Sequence, residues 1–455
     1  MKTITTINPA TEEEITTYNR ISKKTTKEKV AKANDAYKSW KKTSLEERSK
    51  LMYKLADIFG NNKEKYAQLA TQEMGKVIEQ SRKEIEKCAL ICRYYADNIT
   101  ELLADKIVET EASKSYVTFQ PLGVTLAIMP WNFPFYQVIR FAAPAVMTGN
   151  TGVLKHASNV QGCAFALEEA FAEAGFHEGV FTNLNVASDA IEAIIEDNNI
   201  VAVTLTGSEP AGRSVAKTAG ENLKKIVLEL GGSDAYIVLE DVDLEKATDL
   251  ATFGRLQNNG QTCIAAKRFI VLEEIYDDFL KLFTKKMKAA KMGIPTDEDV
   301  YYGPMARIDL RNEIHEQVEK TIKQGGNLIL GGKIPDRKGA YYPATILADL
   351  KPGMTAFDEE LFGPVASVIK AKSEEEAIEL ANNSTFGLGS GVLTANSKRG
   401  EKIALQLEAG NSFVNKLVTS DPRLPFGGIK NSGYGRELSS YGIREFVNTK
   451  SIWID

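Results

Sequence analysis

The segment Val201-Ala202-Val203-Thr204-Leu205-Thr206-Gly207-Ser208-Glu209-Pro210-Ala211-Gly212 decides the fold. Val201–Thr206 reads as a buried strand, because it is a short apolar run rich in β-branched residues. Gly207 ends it, and a helical stretch, Ala211–Ala219, follows. A strand that feeds directly into a helix is half of a parallel β-α-β unit. The same texture recurs on both sides. Val124–Met129, Thr151–Lys155, Lys225–Leu230 and Ala235–Leu239 read as strands, and Gly162–Ala174 as a helix. A second series runs from Arg268 to about Leu407, with strands at Arg268–Val271 and Val365–Lys370. Two such series predict an α/β protein with two doubly wound domains and a cleft between them.

The rest of the chain frames these domains. From Thr26 to Asn98 the pattern is helical: Val30, Ala33, Tyr37 and Trp40 recur at helical spacing, and Leu51, Leu55, Ile58 and Phe59 continue the stripe. Ser44-Leu45-Glu46-Glu47 reads as a capping box. This region is read as packing helices without chemistry. Two β-like runs, Ser115–Phe119 and Lys450–Ile454, are predicted to pair with each other or across subunits. The chain has 455 residues, 43% of them hydrophobic and 26% charged, with a net charge of −5. That balance argues against nucleic acid or an anionic membrane as a partner. No stretch reaches the length of a membrane helix, and Met1–Thr11 lacks the apolar run of a signal peptide. Four cysteines in so long a chain point to the reducing cytoplasm. Cys88 and Cys92, one helical turn apart, read as buried thiols. The three histidines show no metal-ligand spacing, so no metal site is expected.

Five segments carry features that suit chemistry or a ligand. Cys263 follows Asn258-Asn259-Gly260-Gln261-Thr262, a loop-forming run that displays a nucleophilic thiol. Glu229, in Val227-Leu228-Glu229-Leu230-Gly231-Gly232, places a carboxylate at an apolar strand end, where burial raises its pKa toward that of a general base. Asn132, between Pro130-Trp131 and Phe133-Pro134, is a rigidly held amide suited to donate to an oxyanion. The run Gly207–Gly212 at a helix N-terminus suits a phosphate, although it is not the usual dinucleotide glycine pattern. Lys155 ends a strand where ligands of open α/β sheets bind. Taken singly, each has an ordinary alternative: a core thiol, a solvated carboxylate or lysine, a turn amide.

Taken together, the segments resemble the aldehyde dehydrogenase superfamily over nearly the whole chain. The resemblance rests on Pro130–Pro134, Thr206-Gly207-Ser208, Leu228–Gly232, Gly260–Cys263, Glu360-Leu361-Phe362-Gly363-Pro364 and Pro425-Phe426-Gly427-Gly428, all in the family's order. It implies that Cys263 is the nucleophile and Glu229 the base that activates water. It also implies that Asn132 and the Cys263 N–H form the oxyanion hole. Lys155 and Glu360 would hold the cofactor's riboses, Ser208 and Trp131 its pyrophosphate, and Phe362 its nicotinamide ribose. The implied layout is a dinucleotide-binding domain (1–103 and 120–230), a catalytic domain (231–440) and an oligomerisation arm (104–119 and 441–455), in a homodimer or homotetramer.

Within the superfamily the chain looks most like the shorter succinate-semialdehyde dehydrogenases, through Lys155-His156-Ala157-Ser158-Asn159, Gly231–Ala235, Tyr302–Arg307 and Ser420–Pro425. Arg140, two turns beyond Asn132, matches the carboxylate-binding arginine and Ser420 a second contact. A further arginine of some longer relatives is Gln257 here, which leaves room for other short semialdehydes. Ser158 stands where strict NAD⁺ users often have Glu, so NADP⁺ is the expected cofactor, with NAD⁺ also accepted. Ala265 removes the second cysteine some relatives carry. Another aldehyde, or transfer of the acyl group to coenzyme A, are the alternative activities. The presence of Glu229 argues against the latter.

Overall fold

The computed structural model describes residues 3–455. The segment quoted first is strand Ile200–Thr206 followed by helix Glu209–Glu221, with Ser208 as N-cap and Pro210 in the first turn. Proline suits that position because the first-turn N–H groups have no partner inside the helix. The strand lies inside a six-stranded sheet. Its order is Gly433–Tyr434, Lys225–Glu229, Ile200–Thr206, Val124–Met129, Thr151–His156, Phe181–Asn183. All neighbours are parallel except Gly433–Tyr434, which runs antiparallel to Lys225–Glu229. That short strand comes from the stretch expected to belong wholly to the other domain.

A second, seven-stranded sheet is ordered Asn327–Leu330, Thr345–Ala348, Val365–Ala371, Arg268–Leu272, Ala235–Val238, Gly389–Leu393, Asn411–Val414. Only its edge strand Asn327–Leu330 is antiparallel. The central strands of both sheets are almost wholly buried and mostly apolar, as befits strands covered on both faces by helices. The two β-like runs pair with each other. Val447–Ile454 lies antiparallel to Lys114–Pro121 over its whole length, with Lys106–Ile107 on the other side. Thr3–Ile7 and Glu14–Asn19 form a hairpin that the sequence analysis did not anticipate.

The helical region consists of Lys23–Trp40, Leu45–Asn61, Lys63–Met74 and Ile78–Leu102. Ser44 Oγ accepts the Glu47 N–H at 3.1 Å, the forward half of the expected capping box. Cys88 and Cys92 are fully buried free thiols. The region does more than pack. Glu84, buried on the long helix Ile78–Leu102, is ion-paired to Lys76. It also accepts the N–H groups of Phe135 (2.8 Å) and Tyr136 (2.9 Å). Helix Tyr136–Met147 has no N-cap side chain of its own, so this carboxylate takes up its orphan donors and opposes its dipole. Every residue of that helix is buried, and the anchoring fixes the direction in which Arg140 points.

Candidate active site

The turn that carries Cys263 is held from all sides. Asn258, Asn259 and Gly260 adopt left-handed backbone conformations in succession, with φ of 52°, 58° and 75°. Asparagine tolerates that region better than other side chains, and glycine best of all. A Cβ on Gly260 would come within 2.3 Å of the Gly363 carbonyl, so the turn also needs glycine for the close approach. The Asn259 amide donates to Gly75 O (2.8 Å) and Pro304 O (2.6 Å). The Asn258 amide donates to Asn132 O at 2.9 Å and to Gln261 O at 3.1 Å. Arg255 Nη2 holds Gly260 O at 2.6 Å. Buried Lys267 donates to Thr262 O (3.1 Å) and Cys263 O (2.6 Å), and its ammonium pairs with Glu360 at 2.9 Å. The Cys263 N–H itself has no acceptor among the described residues.

Asn132 is buried beside this turn, and its Nδ2 donates to Gln261 O at 3.1 Å, which leaves one N–H of the amide uncommitted. Glu229 ends strand Lys225–Glu229, is buried, and neither carboxylate oxygen has a hydrogen-bond partner. Gly427 makes room for it: a Cβ there would lie 2.8 Å from Glu229 Oε1. Burial, followed by the charge of Glu437, pushes the Glu229 carboxyl well above the ordinary range, while Arg140 and Arg436 oppose the shift. Arg140 faces Glu437 as a buried ion pair, Nη2 to Oε2 2.5 Å, in an alignment that leaves both atoms without a hydrogen bond. A surface salt bridge, the ordinary expectation for an arginine, is therefore not what Arg140 makes.

Cys263, Arg140, Ser420 and Gln257 line one cavity of about 680 Å³, together with Phe133, Tyr136, Phe426 and Lys87. Asn132 and Glu229 stand behind this wall, Asn132 through its bond to Gln261, and Glu229 close enough for its charge to act on Cys263. Burial pushes the Cys263 thiol up to about 11, against the opposing charges of Arg140 and Lys267. A thiol in that range is protonated at neutral pH, and its thiolate fraction grows tenfold with each pH unit below the pKa. Alkylation of Cys263 by iodoacetamide in the free enzyme should therefore climb about tenfold per unit from pH 7 to about 10. Peptide mass mapping checks this, and a rate that levels off below pH 8 contradicts it.

A second cluster lies on the other side of the Cys263 turn. Trp131 and Phe362 meet edge to face with centroids 5.8 Å apart. Glu360 accepts the Gly232 N–H at 3.0 Å, and a Cβ on Gly231 would collide with it. Lys267 thus joins this cluster to the Cys263 turn. Farther along the sheet, Lys155 is the last residue but one of strand Thr151–His156, 3.4 Å from Ser188 Oγ, and Ser158 begins the next turn. Burial and the nearby charge of Arg20 lower the Lys155 pKa, and neither cation is in an ion pair among the described residues. Ser208 caps helix Glu209–Glu221 without committing its side chain. Gly207 donates its N–H to Glu229 O at 3.0 Å, whereas Gly212 packs on Leu230, where a Cβ would lie 2.7 Å from Cδ1.

Lys87, Lys267, Glu437 and Arg20 are absent from the sequence reading. Their partners are mostly far away in sequence: Lys87 and Ser420 are 333 positions apart. Of the four, only Lys87 lies on a helix, as one charge in an amphipathic pattern, and Lys267 lies just beyond the Cys263 turn.

The model of the aldehyde dehydrogenase family matches residues 1–452. A probable NADP(+) succinate-semialdehyde dehydrogenase of Synechocystis sp. is 48% identical over 451 residues, 99% of each chain. An NADP(+) succinate-semialdehyde dehydrogenase of Mycobacterium tuberculosis is 47% identical over 454 residues, again 99% of each. Among solved structures, succinic semialdehyde dehydrogenase from Streptococcus pyogenes in complex with NADP+ superimposes with a TM-score of 0.97 at 41% identity, over 99% of each chain.

Proposed function

The chain belongs to the aldehyde dehydrogenase family, and on that premise we propose that it oxidises succinate semialdehyde, or a similarly short semialdehyde, to the dicarboxylate with NADP⁺. The observation that carries the substrate assignment is the placing of the Cys263 thiol in the same cavity as the Arg140 guanidinium and the Ser420 hydroxyl. A substrate that is an aldehyde at one end and a carboxylate at the other matches a nucleophile at one wall and a cation at another. The names of the relatives point the same way.

The residues of the second cluster suit a dinucleotide. The uncommitted Ser208 hydroxyl and the helix N-terminus behind it fit a pyrophosphate, and Glu360 fits a ribose diol. Lys155 and Arg20, two cations without a carboxylate partner, favour a 2′-phosphate beside Ser158, where a glutamate would repel it. The bound dinucleotide supplies the hydride acceptor that converts a hemithioacetal on Cys263 into a thioester. The chain's own residues do the rest. Cys263 gives up its thiol proton to solvent and its Sγ adds to the aldehyde carbon, while the Cys263 N–H and the free N–H of the Asn132 amide hold the oxyanion. One such donor is typically worth about 3–4 kcal/mol. Glu229 takes a proton from the water that hydrolyses the thioester. We assign 1–103 and 120–230 to the dinucleotide unit, 231–440 to the catalytic unit, and 104–119 with 441–455 to an arm whose open edge suits contact with a second copy.

The test is a kcat/KM panel of succinate, glutarate and malonate semialdehydes and butanal, each with NADP⁺ and NAD⁺. Succinate semialdehyde with NADP⁺ should lead. Arg140→Ala should raise KM for the semialdehyde far more than for butanal. Equal effects on the two, or a large preference for NAD⁺, contradict the assignment.

A further inference from the structure

We infer that Lys87 is a second cation of the carboxylate-binding end of this cavity, binding the distal carboxylate of the substrate together with Arg140 and Ser420. The inference deepens the substrate reading above and rests on it. Lys87 projects from the long helix Ile78–Leu102, so its stem is anchored by a packed element rather than a loop. Its Nζ donates to Ser420 Oγ at 2.7 Å, and the same oxygen meets Tyr136 OH at 2.7 Å. The ammonium sits 4.4 Å above the Tyr136 ring, and the Arg140 guanidinium lies 5.8 Å from that ring. Lys87, Arg140 and Ser420 are thus gathered around one aromatic side chain in the wall of the cavity that holds Cys263.

Charge decides which of the two cations beside the Tyr136 ring is free. Arg140 is already paired with Glu437. Lys87 makes no ion pair among the described residues, and the carboxylates near it are occupied. Glu84 is bound to Lys76, and Asp421 is held by Arg423 at 2.6 Å. On its own helix, Lys83 is exposed and paired with Glu79, and the buried Cys88 thiol is held protonated by burial. Gln257 in the wall offers an amide and no charge. The cavity therefore carries an uncompensated, partly desolvated ammonium, which an arriving carboxylate would neutralise. Burial, reinforced by the positive charge of Arg140, brings the Lys87 pKa down to about 8. Lys87 is charged below that pH and loses its charge above it, so the free enzyme should bind carboxylated aldehydes less well as pH rises through about 8.

The experiment measures kcat/KM from pH 6.5 to 9.5 for succinate semialdehyde and for butanal, in wild type, Lys87→Met, Lys87→Arg and Arg140→Ala. The ratio of the two substrates cancels the ionisations of Cys263 and Glu229, which both reactions share. In the wild type this ratio should fall above pH 8. Lys87→Met should raise KM for succinate semialdehyde about 10- to 100-fold, as expected for losing a charge-assisted hydrogen bond. It should raise KM for butanal far less and flatten the pH dependence of the ratio. Lys87→Arg should restore much of the affinity and shift the fall to higher pH. If Lys87→Met affects both aldehydes equally, or keeps the fall in the ratio, while Arg140→Ala still discriminates, the role of Lys87 is overturned and the substrate reading stands. If the wild type itself does not favour the semialdehyde, both are overturned.

Discussion

Glu229→Gln is expected to produce one equivalent of reduced cofactor per active site in a burst and then to turn over about 10²- to 10⁴-fold more slowly than the wild type. Acylation and hydride removal need the thiol, the oxyanion donors and the dinucleotide, none of which the substitution touches. Deacylation needs a base, and Gln cannot take a proton from water. The side chain is suited to that role because it is buried, unpartnered at both oxygens and held above the ordinary carboxylate range, yet faced by Arg140 and Arg436. Those same features make the amide tolerable: no hydrogen bond is lost, and the space beside Gly427 accepts a side chain of equal size. Stopped-flow absorbance of the reduced cofactor reads both phases. Normal steady turnover would remove Glu229 from the mechanism.

Cys263→Ser should lose turnover on the order of 10⁴-fold or more, with no burst. Serine keeps the size of the side chain and the turn, so the network around it survives: Asn258 to Asn132, Lys267 to the carbonyls of 262 and 263, Arg255 to Gly260. Cofactor binding, followed by fluorescence titration, should be unchanged. What disappears is the polarisable sulfur, whose thiolate is far more accessible than a serine alkoxide even with its pKa pushed up to about 11. Residual activity within tenfold of wild type would mean that no covalent step runs through this position.

What was legible in the sequence follows from how local the determinants are. The strands at 124–129, 200–206 and 268–272 announce themselves because a strand covered on both faces has no polar side, and a glycine or a turn follows each. Cys263 and Asn132 stand in runs of Asn, Gly and Pro that cannot continue a helix or strand, so their display on turns was legible too. Pairing of the runs at 115–119 and 450–454 followed from their alternation, although choosing an intrachain partner over a neighbouring subunit needed coordinates. The N-terminal hairpin escaped because its strands, Thr3–Ile7 and Glu14–Asn19, are short and rich in threonine, with only two apolar residues each.

The charged partners of the site escaped for a different reason. Helical periodicity marks Lys87 as one more polar position on an amphipathic helix, and nothing nearby in sequence says that Ser420 and Tyr136 will close over it. Glu437 reaches Arg140 only because the bridge between Phe426 and Glu437 folds two turns together. Lys267, just ahead of strand Arg268–Leu272, ties Glu360 to the carbonyls of Thr262 and Cys263. Long-range charges of this kind add to burial in shifting the Cys263 thiol and the Glu229 carboxyl, and they leave no mark in composition or spacing.

The central claim is a covalent acyl group on one sulfur. Glu229→Gln mixed with succinate semialdehyde and NADP⁺, quenched in acid within the burst and digested for peptide mass spectrometry, tests it directly. A succinyl adduct on the Cys263 peptide, stoichiometric with the reduced cofactor and released by hydroxylamine, is the predicted result. Reduced cofactor formed with no adduct at Cys263, or with the adduct on Cys88, Cys92 or Cys163, would contradict it.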